Sequence, residues 1–178
     1  MTAAPRIACA AVISDCAEYR YRLTRQWAVG RCLGVILLNP SVADADHDDP
    51  TIRRCIGFAW RWGYAGITVG NLFALRTKDP LALCDHPDPV GPDNAVWLAR
   101  LTEEHAHVLC GWGAGVPRRH LALIDPLMAR LSRPGTRAIC LGLTRSGQPR
   151  HPLYTAAATG PRPLPQAPRP GPRPVTVG

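Results

Sequence analysis

The stretch LGVILLNPS, residues 33–41, decides the fold of this chain. Residues 33–38 are apolar throughout rather than alternating with polar residues, which is typical of a strand buried on both faces of a parallel sheet. Asn39, Pro40 and Ser41 follow at once and place amide and hydroxyl groups where that strand ends. The stretch therefore predicts a buried strand whose carboxyl end leads into a polar site.

Similar apolar runs recur along the chain and alternate with helical patterns. Further strands are predicted at residues 67–72, 107–111 and 137–142, and helices at about 50–62, 92–104 and 117–131. Strands that alternate with helices favour right-handed crossovers and a mainly parallel central sheet with helices on both faces. We therefore expect an α/β protein with three layers, α/β/α.

The helix after the first strand has the clearest boundaries. Asp49 can cap its first turn, Pro50 suits its first position, and Gly63 is a typical stop. In the helix predicted at 117–131, Pro126 should kink or interrupt the helix because proline lacks a backbone donor.

The two ends of the chain differ from this alternating pattern. The N-terminal residues predict a hairpin around residues 15–18 that adds strands at a sheet edge. Residues 155–178 hold seven prolines and three arginines, with no acidic or aromatic residue, which favours a disordered or polyproline-like tail. We expect a single α/β domain over residues 1–154 and a Pro/Arg-rich tail over 155–178.

Composition limits the partners that the protein can have. The formal net charge of +8 favours nucleic acid, nucleotides or other anions. The sequence shows neither a signal-peptide pattern nor an apolar stretch of bilayer length, so we expect a cytoplasmic protein with no membrane partner. It does not indicate an oligomeric state.

Each predicted strand is followed by residues that can bind a ligand or react. Carboxyl ends of parallel strands meet at one edge of a sheet, where ligands bind in open α/β folds. These groups are Asn39-Pro40-Ser41, then Asn71 and Phe73 with Arg76 beyond them, then Trp112 within residues 111–115, and finally Arg145, Arg150 and His151. We therefore expect one polar site at this edge.

Simpler interpretations exist for several of these residues. Asn39 and Asn71 could cap or turn the chain, as asparagine often does after a strand. The acidic run that contains Asp44, Asp46, His47, Asp48 and Asp49 could bind a metal or simply cap a helix. Its spacing does not match the calcium-binding loop. No cofactor motif is present, and we expect no cofactor.

Five sequence blocks occur in an order that resembles a bacterial and phage family, domain of unknown function sixteen-forty-three. The blocks are LNPSVADADHDDPTIRR at 38–54, NLFALR at 71–76, PVGPDN at 89–94, WG at 112–113 and GQPRHPLY at 147–154. The resemblance covers about residues 10–154. The family name implies no activity.

The strand ends also resemble, more distantly, those of the uracil-DNA glycosylase-like fold. In that fold an Asp/Asn-Pro motif positions the attacking water, a later asparagine reads the base, and a His-Pro motif stabilises the departing base. The resemblance implies these roles for Asn39-Pro40, Asn71 and His151-Pro152. Ser41 departs from the usual glycine or tyrosine, and no loop that wedges a duplex open follows Tyr154, which argues against duplex repair.

The resemblance and the residues together favour a site that recognises a nucleobase, a nucleotide or nucleic acid. In the leading hypothesis the protein hydrolyses an N-glycosidic bond, with Asn39 and His151 catalytic. The substrate-binding residues would be Pro40, Ser41, Asn71, Phe73, Arg76, Trp112, Arg145 and Arg150. The alternative is a non-catalytic binding module for nucleic acid or modified nucleotides. A third hypothesis is a metal-dependent hydrolase that uses residues 44–49.

Overall fold

The structure is a computed structural model and describes residues 8–41, 43–79 and 81–165. Within these residues the strands are β1 (Ala8–Ile13), β2 (Arg20–Gln26), β3 (Cys32–Leu37), β4 (Gly66–Asn71), β5 (His107–Cys110), β6 (Arg137–Cys140) and β7 (Arg162–Pro163). The α-helices are α1 (Pro50–Arg61), α2 (Ala82–Asp85), α3 (Asn94–Glu104) and α4 (Ile124–Leu131). The four strands and three helices predicted over residues 33–142 are all present.

All seven strands form one mixed sheet in the order β1-β2-β4-β3-β5-β6-β7. The four central strands, β4, β3, β5 and β6, are parallel to one another. The flanking pairs β1·β2, β2·β4 and β6·β7 are antiparallel. The α/β class is confirmed, whereas the expected mainly parallel sheet is parallel only at its centre, because a hairpin and a short return strand extend its edges.

Helices cover both faces of the sheet. In β3, Val35 and Leu37 pack with Ile52 and Phe58 of α1, whereas the intervening Ile36 packs in a second cluster with residues of α3 and α4. Successive side chains of a strand point to opposite faces, so the two clusters lie on opposite sides of the sheet. We call these the α1 face and the α3 face.

Local sequence explains where the helices begin. The Asp49 carboxylate accepts a hydrogen bond of 2.8 Å from the Ile52 amide at the start of α1, and Pro50 occupies the first helical position. Before α4, residues 118–123 form a 3₁₀ helix, so the predicted helix 117–131 is interrupted. Pro126 lies in the first turn of α4, where a backbone donor is not needed.

The predicted N-terminal hairpin is confirmed, and it contains an irregularity that matters for the site. The β1·β2 register shifts between Val12 and Ile13, since Val12 pairs with Arg22 whereas Ile13 pairs with Arg20. This bulge adds Tyr21 to the strand and reverses the alternation beyond it. Tyr21 therefore packs on the α3 face, and Arg20 bonds the Ala43 carbonyl on the α1 side.

Residues 155–165 depart from the predicted tail. Arg162–Pro163 pair with β6, and Thr155 and Leu164 are buried. This segment is ordered because its backbone completes the sheet edge, a contact that proline content alone does not reveal. Residues 166–178, the rest of the predicted tail, lie outside the described residues. No helix in the described ranges is both long and apolar enough to cross a membrane.

Candidate functional site

The carboxyl ends of the four central strands lie side by side. Leu37 pairs with Asn71, Ile36 with Cys110, and Cys110 with Cys140, so the chain leaves β4, β3, β5 and β6 at the same edge. Along this edge the order is therefore Asn71, then Asn39, then the loop after β5 and the loop after β6. The sequence-predicted groups do fall on one edge, as expected.

Close backbone contacts hold the loops of this edge together. The Gly113 amide donates to the Pro149 carbonyl at 2.8 Å. A Cβ on Gly111 would lie 2.8 Å from Cδ of Pro152, and one on Gly113 would lie 3.4 Å from Cβ of His151. The glycines of the loop after β5 thus allow the His151-Pro152 segment to pack directly against that loop.

Asn71 is the most unusual polar residue of the edge. It is 1% exposed, and neither its Nδ2 nor its Oδ1 has a hydrogen-bond partner among the described residues. Its side chain lies on the α1 face, because it pairs with Leu37 and follows Val69 at a two-residue spacing. Buried amides are nearly always paired, so this unpaired amide points to a ligand or water that completes it.

Asn39 is half-buried, and its amide group is held by main-chain acceptors. Nδ2 donates to the carbonyls of Pro40 at 3.1 Å and Thr77 at 2.8 Å. With both amide hydrogens engaged, Oδ1 is the atom left to accept a hydrogen bond from a ligand or water. Pro40 is buried and Ser41 is half-buried beside it.

His151 has a defined tautomer. Its Nδ1 accepts a hydrogen bond of 3.3 Å from the Leu153 amide, so the neutral ring carries its proton on Nε2. Burial lowers the pKa of His151, against the opposing effect of the nearby Asp49 carboxylate. The lowered pKa favours the neutral ring, which offers one N–H donor.

The loop that carries His151 leaves β6, three strand positions from Asn71 at the end of β4. Neighbouring strands lie about 4.8 Å apart, so β4 and β6 are about 14 Å apart between backbones, with the ends of β3 and β5 between them. The His151-Pro152 segment packs back against the loop after β5, which brings it closer to Asn39 at the end of β3.

Phe73 and Trp112 do not fit the predicted role in substrate binding. Both belong to the core cluster on the α3 face, where Phe73 is 0% exposed and packs edge-to-face on His120. Trp112 is 2% exposed and donates from Nε1 to Gln148 at 2.7 Å. Their hydrophobic area is already buried in the core, so stacking on a base stays a prediction that this packing does not support.

The three predicted arginines occupy different surroundings. Arg76 bonds the Ala17 carbonyl at the hairpin, and its buried Nε has no partner among the described residues. Arg150 is exposed and donates from Nε to the Leu143 carbonyl at 2.9 Å. Arg145 is exposed on the same loop. Arg150 lies next to His151, whereas Arg76 lies at the other end of the edge.

Two buried arginines of β2 hold the segment 43–48 and are absent from the sequence-based prediction. Arg25 bonds Asp48 at 2.8 Å and also the carbonyls of Asp44 and His47. Burial lowers the pKa of Arg20 to about 10, against the effect of Asp49. Arg20 lies on the α1 face only because β2 bulges at Tyr21. The alternating arginines at positions 20 and 22 do not indicate this bulge.

The acidic segment is held by these contacts rather than arranged around a cation. Asp44 accepts from the backbone amides of His47 and Asp46, which lower its pKa. Asp48 pairs with Arg25, and Asp49 caps α1. Across the described residues no three His, Cys, Asp or Glu side chains could together hold a metal ion. This arrangement adds no support to the hypothesis of a metal site built from residues 44–49.

Asn94 is another residue that sequence reasoning did not select. It is fully buried at the start of α3, and its Nδ2 donates to the carbonyls of Asn71 and Leu72, at 3.0 Å each. These bonds fix the backbone at the end of β4. The PVGPDN block, which contains Asn94, is the sequence feature that could have indicated this residue.

Surface cavities lie at both ends of the central strands. Two, of 480 and 520 Å³, share Tyr64 and His107 and lie where the central strands begin. The third, of 310 Å³, lies at the carboxyl edge beside Arg150 and Tyr154. Of these three cavities, the third adjoins the predicted residues, although the other two are larger.

A methyl group at Gly111 should displace the His151-Pro152 segment. Gly111→Ala forces Cβ to 2.8 Å from Pro152, so we expect a loss of about 1–3 kcal/mol in the free energy of unfolding. Gly57→Ala is the matched control, since that exposed helical position has nothing within 4 Å. It should stabilise the protein by about 0.5–1 kcal/mol. Urea denaturation measures both, and equal effects would refute the close contact.

Comparison with known proteins identifies a family. No curated protein and no solved structure matches the chain significantly. A family model described as "Protein of unknown function (DUF1643)" matches residues 20–153, from the start of β2 to the segment after His151. That range includes Asn39, Asn71 and His151 and ends just before Tyr154. The chain therefore belongs to the DUF1643 family.

Proposed function

We propose that the protein recognises a nucleobase at the carboxyl edge of its sheet and hydrolyses the N-glycosidic bond of the bound nucleoside or nucleotide. Asn71 reads the base, Asn39 orients the water, and His151 stabilises the leaving base. The fold proposed with this activity is the three-layer, uracil-DNA glycosylase-like one. Support for that fold comes from the helices on both faces, the four parallel central strands and the places of the Asn39-Pro40 and His151-Pro152 motifs.

The observation that carries the proposal is the unpaired amide of Asn71. Leaving a buried donor and acceptor unpaired costs about 1–3 kcal/mol per group, which a functional ligand would offset. An asparagine amide presents a donor beside an acceptor. It can therefore form two hydrogen bonds with a base edge that presents an acceptor beside a donor. Because Asn71 is 1% exposed, a base reaches it only when the chain at this edge moves.

The chemistry follows from the two flanking residues. Water that donates to Oδ1 of Asn39 attacks the anomeric carbon, and the carbon–nitrogen bond breaks with its electron pair passing to the base. The Nε2–H of neutral His151 hydrogen-bonds the base nitrogen or oxygen on which negative charge develops. The hydroxyl of the water remains on the sugar and its proton passes to the base, which balances the reaction.

A second function, a non-catalytic binding module for nucleic acid or modified nucleotides, is favoured by one observation. The carboxylates near the site are engaged, since Asp48 pairs with Arg25 and Asp49 caps α1. Since those carboxylates are engaged, activation of the water would depend on the Asn39 amide, which is a weak base. Binding without turnover would use the same Asn71 amide.

Base release tests the proposal directly. The substrates are free nucleosides, nucleotides and single-stranded DNA, and released base is measured by chromatography. We expect Asn39→Ala and His151→Ala each to lower the rate by about 10²-fold or more. His86→Ala, which removes a histidine paired with Glu18 at the hairpin, is the control and should keep the wild-type rate.

The outcomes separate the two functions. Rates that are unchanged in both Asn39→Ala and His151→Ala would show that these residues do not perform the reaction. Tight binding by the wild type without release of any base would establish the binding module instead.

A further inference from the structure

The cavity of 310 Å³ at the carboxyl edge is lined by polar and basic groups. Its walls include Gly142, Leu143, Arg150, Tyr154, Thr155 and Arg162. Two of them are basic, Arg150 from the loop after β6 and Arg162 from β7. No lining residue is acidic, so two positive charges face a space that no carboxylate neutralises.

One arginine of this cavity is partly fixed. Arg150 donates from Nε to the Leu143 carbonyl at 2.9 Å, which leaves its two terminal amino groups for a ligand. Its backbone is also held, since the Arg150 amide donates to the Gly142 carbonyl at 2.9 Å. A guanidinium anchored through Nε presents a planar pair of donors, which suits the oxygens of a phosphate.

The cavity shares a wall with the proposed base site. Thr155 lines the cavity and donates from Oγ1 to the His151 carbonyl at 3.1 Å. Tyr154 also lines it, and its ring lies 5.6 Å from the His151 ring, centroid to centroid. A ligand in the cavity would therefore lie one short segment of chain away from the His151 imidazole.

We infer that this cavity binds a phosphate group, held by the Arg150 and Arg162 guanidinium groups. The inference rests on the proposed function for the neighbouring base, because it makes the substrate a nucleotide or a nucleic-acid strand rather than a free nucleoside. A volume of 310 Å³ is at the small end for ligand sites and suits a phosphate with its attached sugar.

The test uses the full chain and probes that need no base recognition. Binding of inorganic phosphate is followed by ³¹P NMR line broadening in wild type and in the double variant Arg150→Gln/Arg162→Gln. We expect the double variant to weaken phosphate binding at least about tenfold. The control is Arg61→Gln/Arg118→Gln, which removes two exposed arginines outside the cavity and should leave binding unchanged. Equal weakening in both variants would overturn the inference, since it would show an effect of net charge alone.

The source of the phosphate is determined with two further probes. One is a set of 2′-deoxynucleoside 5′-monophosphates with their nucleosides, and the other is a short oligothymidylate without terminal phosphates. If only the binding of the monophosphates depends on Arg150 and Arg162, the cavity binds the phosphate of a free nucleotide. If binding of the oligonucleotide also depends on them, the cavity binds a backbone phosphodiester. Failure of the wild type to bind any phosphate probe would refute the cavity assignment. Base release from nucleosides would still test the proposed function separately.

Discussion

Replacing Arg25 by alanine should destabilise the protein by about 3–5 kcal/mol. Arg25 is 1% exposed, and it pairs with Asp48, whose side chain is 6% exposed. Removing one partner of a buried ion pair leaves the other charge uncompensated, which is the costly case. The carbonyls of Asp44 and His47 would lose their donor as well. The midpoint of urea denaturation measures the loss.

The same strand provides the matched control. Arg22 pairs with Glu104 at 2.7 Å, but these side chains are 23% and 43% exposed. Water screens such a pair, so Arg22→Ala should cost only about 0–1 kcal/mol. Similar losses for Arg22→Ala and Arg25→Ala would show that the segment 43–49 is not held by the buried arginine.

Replacing Asn71 by leucine should stabilise the protein, in contrast to Arg25→Ala, and should abolish its function. The leucine removes a buried amide that has no partner and fills a similar volume on the α1 face. We expect a gain of about 1–3 kcal/mol in the free energy of unfolding together with loss of base binding. Thermal denaturation and ligand titration of the same sample measure the two effects.

Asn94→Leu is the control for Asn71→Leu. Asn94 is equally buried, but its Nδ2 makes two hydrogen bonds to the backbone at the end of β4. The same substitution should therefore destabilise by about 1–3 kcal/mol, because two carbonyls lose their donor. Destabilisation by Asn71→Leu as well would indicate that the Asn71 amide has a structural partner.

Much of the fold could be predicted from local sequence because local physics determines it. Continuous apolar runs mark the central strands, and they are buried on both faces as that pattern requires. Asp49 and Pro50 mark the start of α1 since a capping carboxylate and a proline at the first position are local features. The parallel strands alone predicted that Asn39, Asn71 and the loop of His151 follow strands that end at the same edge.

Other features depend on contacts between distant residues and could not be predicted in this way. Arg20 reaches the α1 side only because β2 bulges at Tyr21, and β7 forms because Arg162–Pro163 meet β6. Phe73 and Trp112 follow strand ends, as site residues do, but the packing of the α3 face buries them. The position of a residue along its strand predicts the edge of the sheet at which it lies, whereas the burial of its side chain depends on the packing of the whole core.

The most direct test of the site is the side-chain amide of Asn71, observed by ¹⁵N–¹H NMR. Its two signals are assigned by their absence in Asn71→Leu, and nucleosides and 2′-deoxynucleoside 5′-monophosphates are then titrated into the wild type. If Asn71 reads a base, both amide signals shift with the ligand that binds, and they saturate at the same concentration as the rest of the site. Signals that stay unchanged while a nucleotide saturates the protein would contradict a base site at Asn71.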